Sequence, residues 1–232
     1  MILRRITQHV KEQNWFAVAL DLVIVVVGVV IGFQVTAWGD ARRAAADERT
    51  VQLELRDALR DDLGILEDQL AAFHEKVRRM DALSAHLDGG GLYADTLDAY
   101  FGAVYGLSLV TVNASPYESL KSRGLGILAD PALRAQAARL YDLRYDLLDE
   151  LQQTQRSAVL DLMRPYVLAH FSDMVFGVTA TPLDYERTRA DPYFGNLVAY
   201  RREIVVGTEI PFYEGTIAEV EALLAALDAA LA

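Results

Sequence analysis

Residues 16–38 read FAVALDLVIVVVGVVIGFQVTAW, and among these 23 positions only Asp21, Gln34 and Thr36 are clearly polar. At about 1.5 Å per helical residue the stretch is long enough for roughly 30 Å of hydrocarbon. A helix of this length in a water-soluble core carries a polar face, and Leu22 to Phe33 has none. The sequence therefore predicts a transmembrane helix over residues 15–39. Trp15 and Trp38 bracket it as interfacial anchors, because an indole is amphipathic and favours the membrane–water boundary. The apolar run is too long for a signal peptide and ends Val-Thr-Ala-Trp-Gly-Asp, so it is expected to be retained.

Residues 1–14 form a short basic tail with Arg4, Arg5 and Lys11, while Arg42, Arg43 and Arg49 follow the span. The basic count on the two sides is a draw. The region after the span carries 19 basic and 31 acidic residues, and this acidic surplus breaks the tie. The expected arrangement places the tail on the inner side of the membrane and an acidic domain, residues 40–232, on the outer side.

Inside the span, Asp21, Val25, Gly28, Gly32, Val35 and Gly39 alternate by four and three and so share one helix face. Glycines at Gly28 and Gly32 allow a second backbone to approach closely, although glycine is also simply frequent in membrane helices. Asp21 lies about two turns inside the apolar run, where an acid must snorkel, be neutralised or find a partner. Gln34, off the glycine stripe, is placed to give an interhelical hydrogen bond or to reach the headgroups. The residues expected to pack against other helices are Asp21, Val25, Gly28, Gly32 and Gln34.

Beyond the span, Leu55, Leu59, Leu63, Leu66, Leu70, Phe73, Val77 and Met80 step by fours and threes, which predicts a long amphipathic helix continuous with the membrane helix. Its stripe is either a coiled-coil seam between chains or the core face of a bundle, and the further helices that follow favour the bundle. Gly89-Gly90-Gly91 ends it. Asp95–Tyr105 predicts a shorter helix, Ser115-Pro116 opens another that Gly124 closes, and Asp130-Pro131 opens a longer one that Pro165 kinks or ends. Residues 171–191 lack a period and are expected to be loop with at most a short turn. Asp191-Pro192 caps the next helix, Pro211 interrupts it, and residues 215–232 form the last. The fold class is all-α: one transmembrane helix, a long amphipathic helix and a bundle of about four to six helices.

Composition removes several functions. The hydrophobic fraction of 53% excludes a disordered acidic chain, and zero cysteine removes disulfide scaffolds, thiol catalysis and every cysteine-ligated metal site. A net charge of −11 without a long basic run argues against nucleic acid. His9, His74, His86 and His170 are scattered, and His74 and His86 lie about 18 Å apart along one helix, too far for one ion. No phosphate loop, dinucleotide fingerprint or nucleophile elbow is present, so no enzyme activity, metal or cofactor is expected. Tyr117, Lys121 and Arg123 are the candidate edge for an anion or an acidic partner, although helix capping already explains much of this segment.

Two landmarks carry a family resemblance. The first is the basic start, the acid-containing Gly-rich span and Gln34-x-x-x-Trp38. The second is Ser115-x-Tyr117-Glu118-x-Leu120-x-x-x-Gly124-x-Gly126-Ile127-Leu128-x-Asp130-x-x-Leu133-Arg134, followed by Leu140-Tyr141. Together they resemble a widespread bacterial group of single-span membrane proteins classed as a domain of unknown function. Ala37 stands where that group commonly has Asn, and the triple glycine is often lacking there. The resemblance implies location, a bacterial inner membrane with the N-terminus cytoplasmic and the main domain periplasmic, and helical architecture; it supplies no activity.

The expected function is a non-catalytic, membrane-anchored accessory, assembly or scaffold subunit, bound to copies of itself or to a larger membrane complex. The alternative is a periplasmic helical bundle that senses a ligand and signals through a separate partner.

Overall fold

The computed structural model describes residues 15–107 and 109–232, with the side chains of residues 15–19 and Asp21 outside that description. The basic tail, residues 1–14, and the side chains of Trp15 and Asp21 therefore lie outside the described residues. The chain divides into two compact units, one up to Thr50 and one from Val51 to Ala232.

In the first unit the backbone is helical from Trp15, the start of helix α1 (Trp15–Asp88). The segment after Leu22 is long and apolar enough to cross a membrane, and its most apolar stretch has no residue buried within the chain. A Cβ built on Gly28, Gly32 or Gly39 meets nothing within 4 Å. Residues 41–50 carry no apolar side chain larger than alanine and are mostly exposed, so core packing begins only at Val51 rather than at the sequence boundary of residue 40.

The second unit is a helical bundle with one small hairpin. The predicted stripe of α1 faces its core: Leu55, Leu59, Leu66, Phe73, Met80 and Leu83 are buried, with Leu63, Leu70 and Val77 packed at the margin. This is a core face within one chain. Gly90, at φ +69°, turns the backbone out of α1, a conformation that glycine adopts without a Cβ clash. A 3-10 turn, Asp95–Leu97, leads into α2 (Asp98–Tyr105), which buries Phe101 and Val104.

Helix α3 (Ser115–Arg123) begins one residue earlier than the Ser-Pro signal suggests. Ser115 is already helical, and it is Asn113 Oδ1 that accepts the Ser115 N–H at 3.2 Å. Gly124 closes the helix at φ +104°. Asp130 and Asp191 act as the expected side-chain caps of α4 (Pro131–Arg139) and α8 (Pro192–Ile204), accepting from Ala132 N–H at 2.8 Å and Tyr193 N–H at 2.9 Å.

Neither internal proline stops its helix. A π-helical turn, Leu140–Arg144, joins α4 to α5 (Tyr145–Ala158), and a second, Val159–Met163, joins α5 to α6 (Arg164–His170). A third, Val205–Glu209, joins α8 to α9 (Ile210–Leu231). Pro165 and Pro211 each stand two residues after the end of a π turn. The Arg164 N–H reaches back five residues to Val159 O, and the Ile210 N–H to Val205 O, so the wider turn gives the proline ring room and the helix goes on.

Residues 171–191 are a hairpin and a short helix rather than loop. Strand β1 (Phe171–Val175) pairs antiparallel with β2 (Thr179–Pro182), Phe171 opposite Pro182, with an irregularity between Ser172 and Val175 where Asp173 takes a φ of +48°. Gly177, at φ +73°, makes the turn. Asp184 then caps α7 (Tyr185–Ala190) by accepting the Arg187 N–H at 3.0 Å. Strands this short give too little alternation to be read as a sheet; what holds them is α2. A Cβ on Gly102 would lie 2.4 Å from Thr179 N, and one on Gly106 would lie 2.7 Å from Gly177 Cα. Two glycines thus bring a helix backbone against a hairpin backbone, and Asp98 Oδ2 accepts the Thr181 hydroxyl at 2.5 Å.

Candidate functional site

On the first unit, Val25, Gly28, Gly32 and Gln34 are all exposed within the chain, as is the anchor Trp38, whose ring lies 5.5 Å from the Arg42 guanidinium carbon. Among the described residues, nothing covers these positions of the face predicted to pack on other helices.

The edge predicted around α3 is differently built. Tyr117 is fully buried, and its hydroxyl donates to Asp142 Oδ2 at 2.6 Å. Lys121 Nζ donates to Asp142 Oδ1 at 3.0 Å, pairs with Glu118 at 2.7 Å and sits 5.1 Å from the Tyr117 ring. The two carboxylates hold the Lys121 ammonium well above its ordinary range, and Lys121 and the Tyr117 hydroxyl hold Asp142 below its own against the opposing effect of burial. Of the three predicted residues, Arg123 alone presents an exposed side chain without this internal engagement.

Behind Tyr117 the aromatic rings continue inward. Tyr117 stacks on Tyr141 at 4.6 Å with planes 6° apart, and Tyr141 meets Tyr145 edge-on at 5.2 Å. The ladder ends at Asp62, which is 1% exposed; its Oδ2 accepts the Tyr145 hydroxyl at 3.0 Å and its Oδ1 accepts the Asn113 N–H at 2.8 Å. Burial raises the Asp62 pKa above the usual carboxylate range, partly offset by those two donors. Val110 N–H is accepted by Gln152 Oε1 at 2.7 Å, so the extended segment before α3 satisfies its backbone on side chains.

A second buried polar cluster carries more charge. Arg201, 1% exposed, pairs with Glu209, with Nη1–Oε1 at 2.8 Å and Nη2–Oε2 at 3.4 Å, and its Nη1 lies 3.4 Å from Gln155 Oε1. The Arg201 Nε and the Tyr213 hydroxyl are buried without a hydrogen-bond partner. Lys76, 8% exposed, donates to Gly106 O at 3.1 Å at the C-terminal end of α2, where the helix dipole favours a cation. Burial, and after it the Arg201 charge, lower the Lys76 pKa to about 8 against the opposing effect of Glu209. Lys76, Arg201 and Glu209 thus lie within electrostatic reach of one another inside a chain whose net charge is −11.

Beside Lys76 is a cavity of about 200 Å³ lined by Ala72, Glu75, Arg79, Ala103, Gly106 and Gly177 among others. Glu75 at its edge pairs with Arg79 at 2.7 Å and also with Arg78, and these partners lower its pKa. Reading the sequence missed Lys76, Arg201 and Glu209. The signal was present: Lys76 stands three residues after Phe73 and four before Met80, on the buried stripe, and Arg201 and Glu209 flank Val205 at four-residue steps.

Among the described residues no group of three or more His, Asp or Glu side chains is placed to hold a metal ion. His86 Nε2 lies 2.9 Å from Leu92 O beneath the glycine turn, and His170 stacks on Tyr166 at 4.2 Å. In comparison with known proteins, no family model, no curated protein and no solved structure matches this chain.

Proposed function

We propose that the chain is a membrane-anchored, non-catalytic accessory or scaffold subunit of the bacterial inner membrane. Its tail is cytoplasmic and its acidic helical body periplasmic, and it associates through its membrane helix and body with copies of itself or with a larger membrane complex. The resemblance to single-span bacterial proteins of unknown function belongs to the same reading. One observation carries it: an apolar helical stretch none of whose residues is buried within the chain. In water such a surface would associate indiscriminately, whereas in lipid it is solvated and its glycine face becomes the place where a second helix can approach.

The test is native mass spectrometry of the full chain in mild detergent, beside Asp21→Leu and the pair Gly28→Leu/Gly32→Leu. Discrete oligomers or a co-purified subunit that disappear in the variants are expected. A lone monomer at every concentration, identical in all three proteins, would overturn the proposed association.

A further inference from the structure

We infer that the groove between α1, the extended segment before α3 and the start of α3 takes an extended segment of a partner protein. The incoming segment adds as a β-strand along residues 109–113 and sets a Lys or Arg side chain against Asp61. The site lies in the second unit and gives the proposed association of the body a partner chemistry, so it rests on that reading. It leaves the membrane helix aside, and loss of oligomers in the glycine variants and loss of strand binding here are separate outcomes.

Residues 109–113 behave as a strand without a neighbour. Val110, Val112 and Ala114 pack against the core while Leu109, Thr111 and Asn113 are exposed, the alternation of a half-buried β-strand. Leu109-Val110-Thr111-Val112 also has the β-branched composition that suits a pleated surface. Side chains of the bundle satisfy two of its backbone groups, the Val110 N–H on Gln152 and the Asn113 N–H on Asp62. Between them, the N–H and C=O groups of Thr111 and Val112 make no hydrogen bond among the described residues. Free donors and acceptors beside a groove suit strand addition, in which main-chain bonds hold the incoming segment and side-chain contacts select it.

The groove beside the segment has a volume of about 810 Å³. Ile65, 41% exposed, gives it apolar surface, and its charged residues Asp61, Asp62 and Glu118 are all acidic. Glu118 is paired with Lys121, and Asp62 accepts from Tyr145 and Asn113, so the charge left open is that of Asp61. Asp61 makes no ion pair among the described residues, its neighbour Arg60 being engaged by Asp57 and Asp228. That charge selects the occupant. A second copy pairing its own residues 109–113 here would bring another Asp61 instead of a cation, whereas a basic side chain on a partner strand complements it.

The experiment measures fluorescence anisotropy of a labelled library of capped heptapeptides with the full chain in detergent. The library fixes Val-x-Lys-x-Val, which puts the lysine and both valines on one face of a strand. Parallel sets replace Lys by Glu, or methylate the backbone nitrogens of alternate residues in either phase. At least one Lys peptide is expected to bind saturably, with its Glu counterpart and one of its two methylated forms weaker by about tenfold or more. Asp61→Lys is expected to reverse the preference for Lys over Glu. Thr111→Pro removes a free N–H from a backbone that is already extended, and is expected to weaken binding by about tenfold or more. Thr111→Ala keeps that N–H and is expected to leave binding unchanged. No library member binding saturably, methylation in neither phase weakening binding, or a Lys-over-Glu preference that survives Asp61→Lys would overturn the site. A peptide-free dimer that Thr111→Pro dissolves and Thr111→Ala does not would overturn it as well, giving the edge to a second copy.

Discussion

Lys76 is a buried ammonium whose proton is held less tightly in the folded chain than in the unfolded one. Its pKa falls from 10.5 to about 8, so between these values the unfolded chain binds more protons and stability rises with pH. Comparing wild type with Lys76→Met by denaturant unfolding isolates this contribution. The wild type is expected to gain about 3 kcal/mol relative to the variant between pH 8 and 10.5, and parallel curves would contradict the assignment. Glu209 is the anion that both buried cations face. Replacing it as Glu209→Gln removes the ion-pair partner of Arg201, at a cost of about 3–5 kcal/mol. Adding Lys76→Met removes one of the two cations, and the double variant is expected to recover part of the loss. An additive double variant would show that the lysine and the glutamate do not interact.

At the scale of elements, glycines of one residue type do opposite things. Gly64 lies on an exposed face of α1 with open space where a Cβ would go, so Gly64→Ala is expected to stabilise by about 0.5–1 kcal/mol through helix propensity. Gly102 lies against the backbone of Val178 and Thr179, and Gly102→Ala forces the hairpin off α2. A loss of about 1–3 kcal/mol is expected there, and equal effects at both sites would refute the close packing. The helices themselves were legible because a 3.6-residue period over many turns, broken by Gly or Pro and opened by Asp caps, is a strong local signal. The hairpin was not, since its five- and four-residue strands are specified by contact with Gly102 and Gly106 rather than by their own alternation. The prolines misled for a related reason: Pro165 and Pro211 do break the α pattern, and the π turns that absorb the break have no sequence period of their own. At the candidate site, Tyr117 and Lys121 were found by residue type but prove to serve Asp142, whereas Lys76 was hidden because a lysine on an apolar stripe reads as an interruption.

At the scale of the molecule, α1 carries a second message on its seam. Leu55, Asp62, Gln69, Lys76 and Leu83 recur every seven residues; the Gln69 Nε2 is buried without a hydrogen-bond partner, and the other two polar ones meet different neighbours. Asp62 holds the segment before α3 and Tyr145, and Lys76 holds the end of α2. A slip of one heptad would keep apolar contacts along the other half of the seam but leave these polar groups unmatched, which makes them markers of register. The expected topology also has a direct test, because the chain contains no cysteine. Glu221→Cys places a single thiol at an exposed position of α9. In intact spheroplasts it should react with a membrane-impermeant maleimide; labelling only after lysis would place the body in the cytoplasm instead.

The Arg60–Asp228 ion pair joins positions 168 residues apart, and Leu223 and Leu227 belong to the same core as Leu55 and Leu59. During synthesis the seam of α1 therefore leaves the ribosome long before its last partner exists. Until α9 is translated, a row of leucines stands uncovered beside whatever the nascent chain can borrow, a chaperone or a neighbouring surface. A message truncated before Gly215 would yield a chain with its apolar N-terminal helix intact and its core permanently open, and quality-control proteases would be expected to clear it.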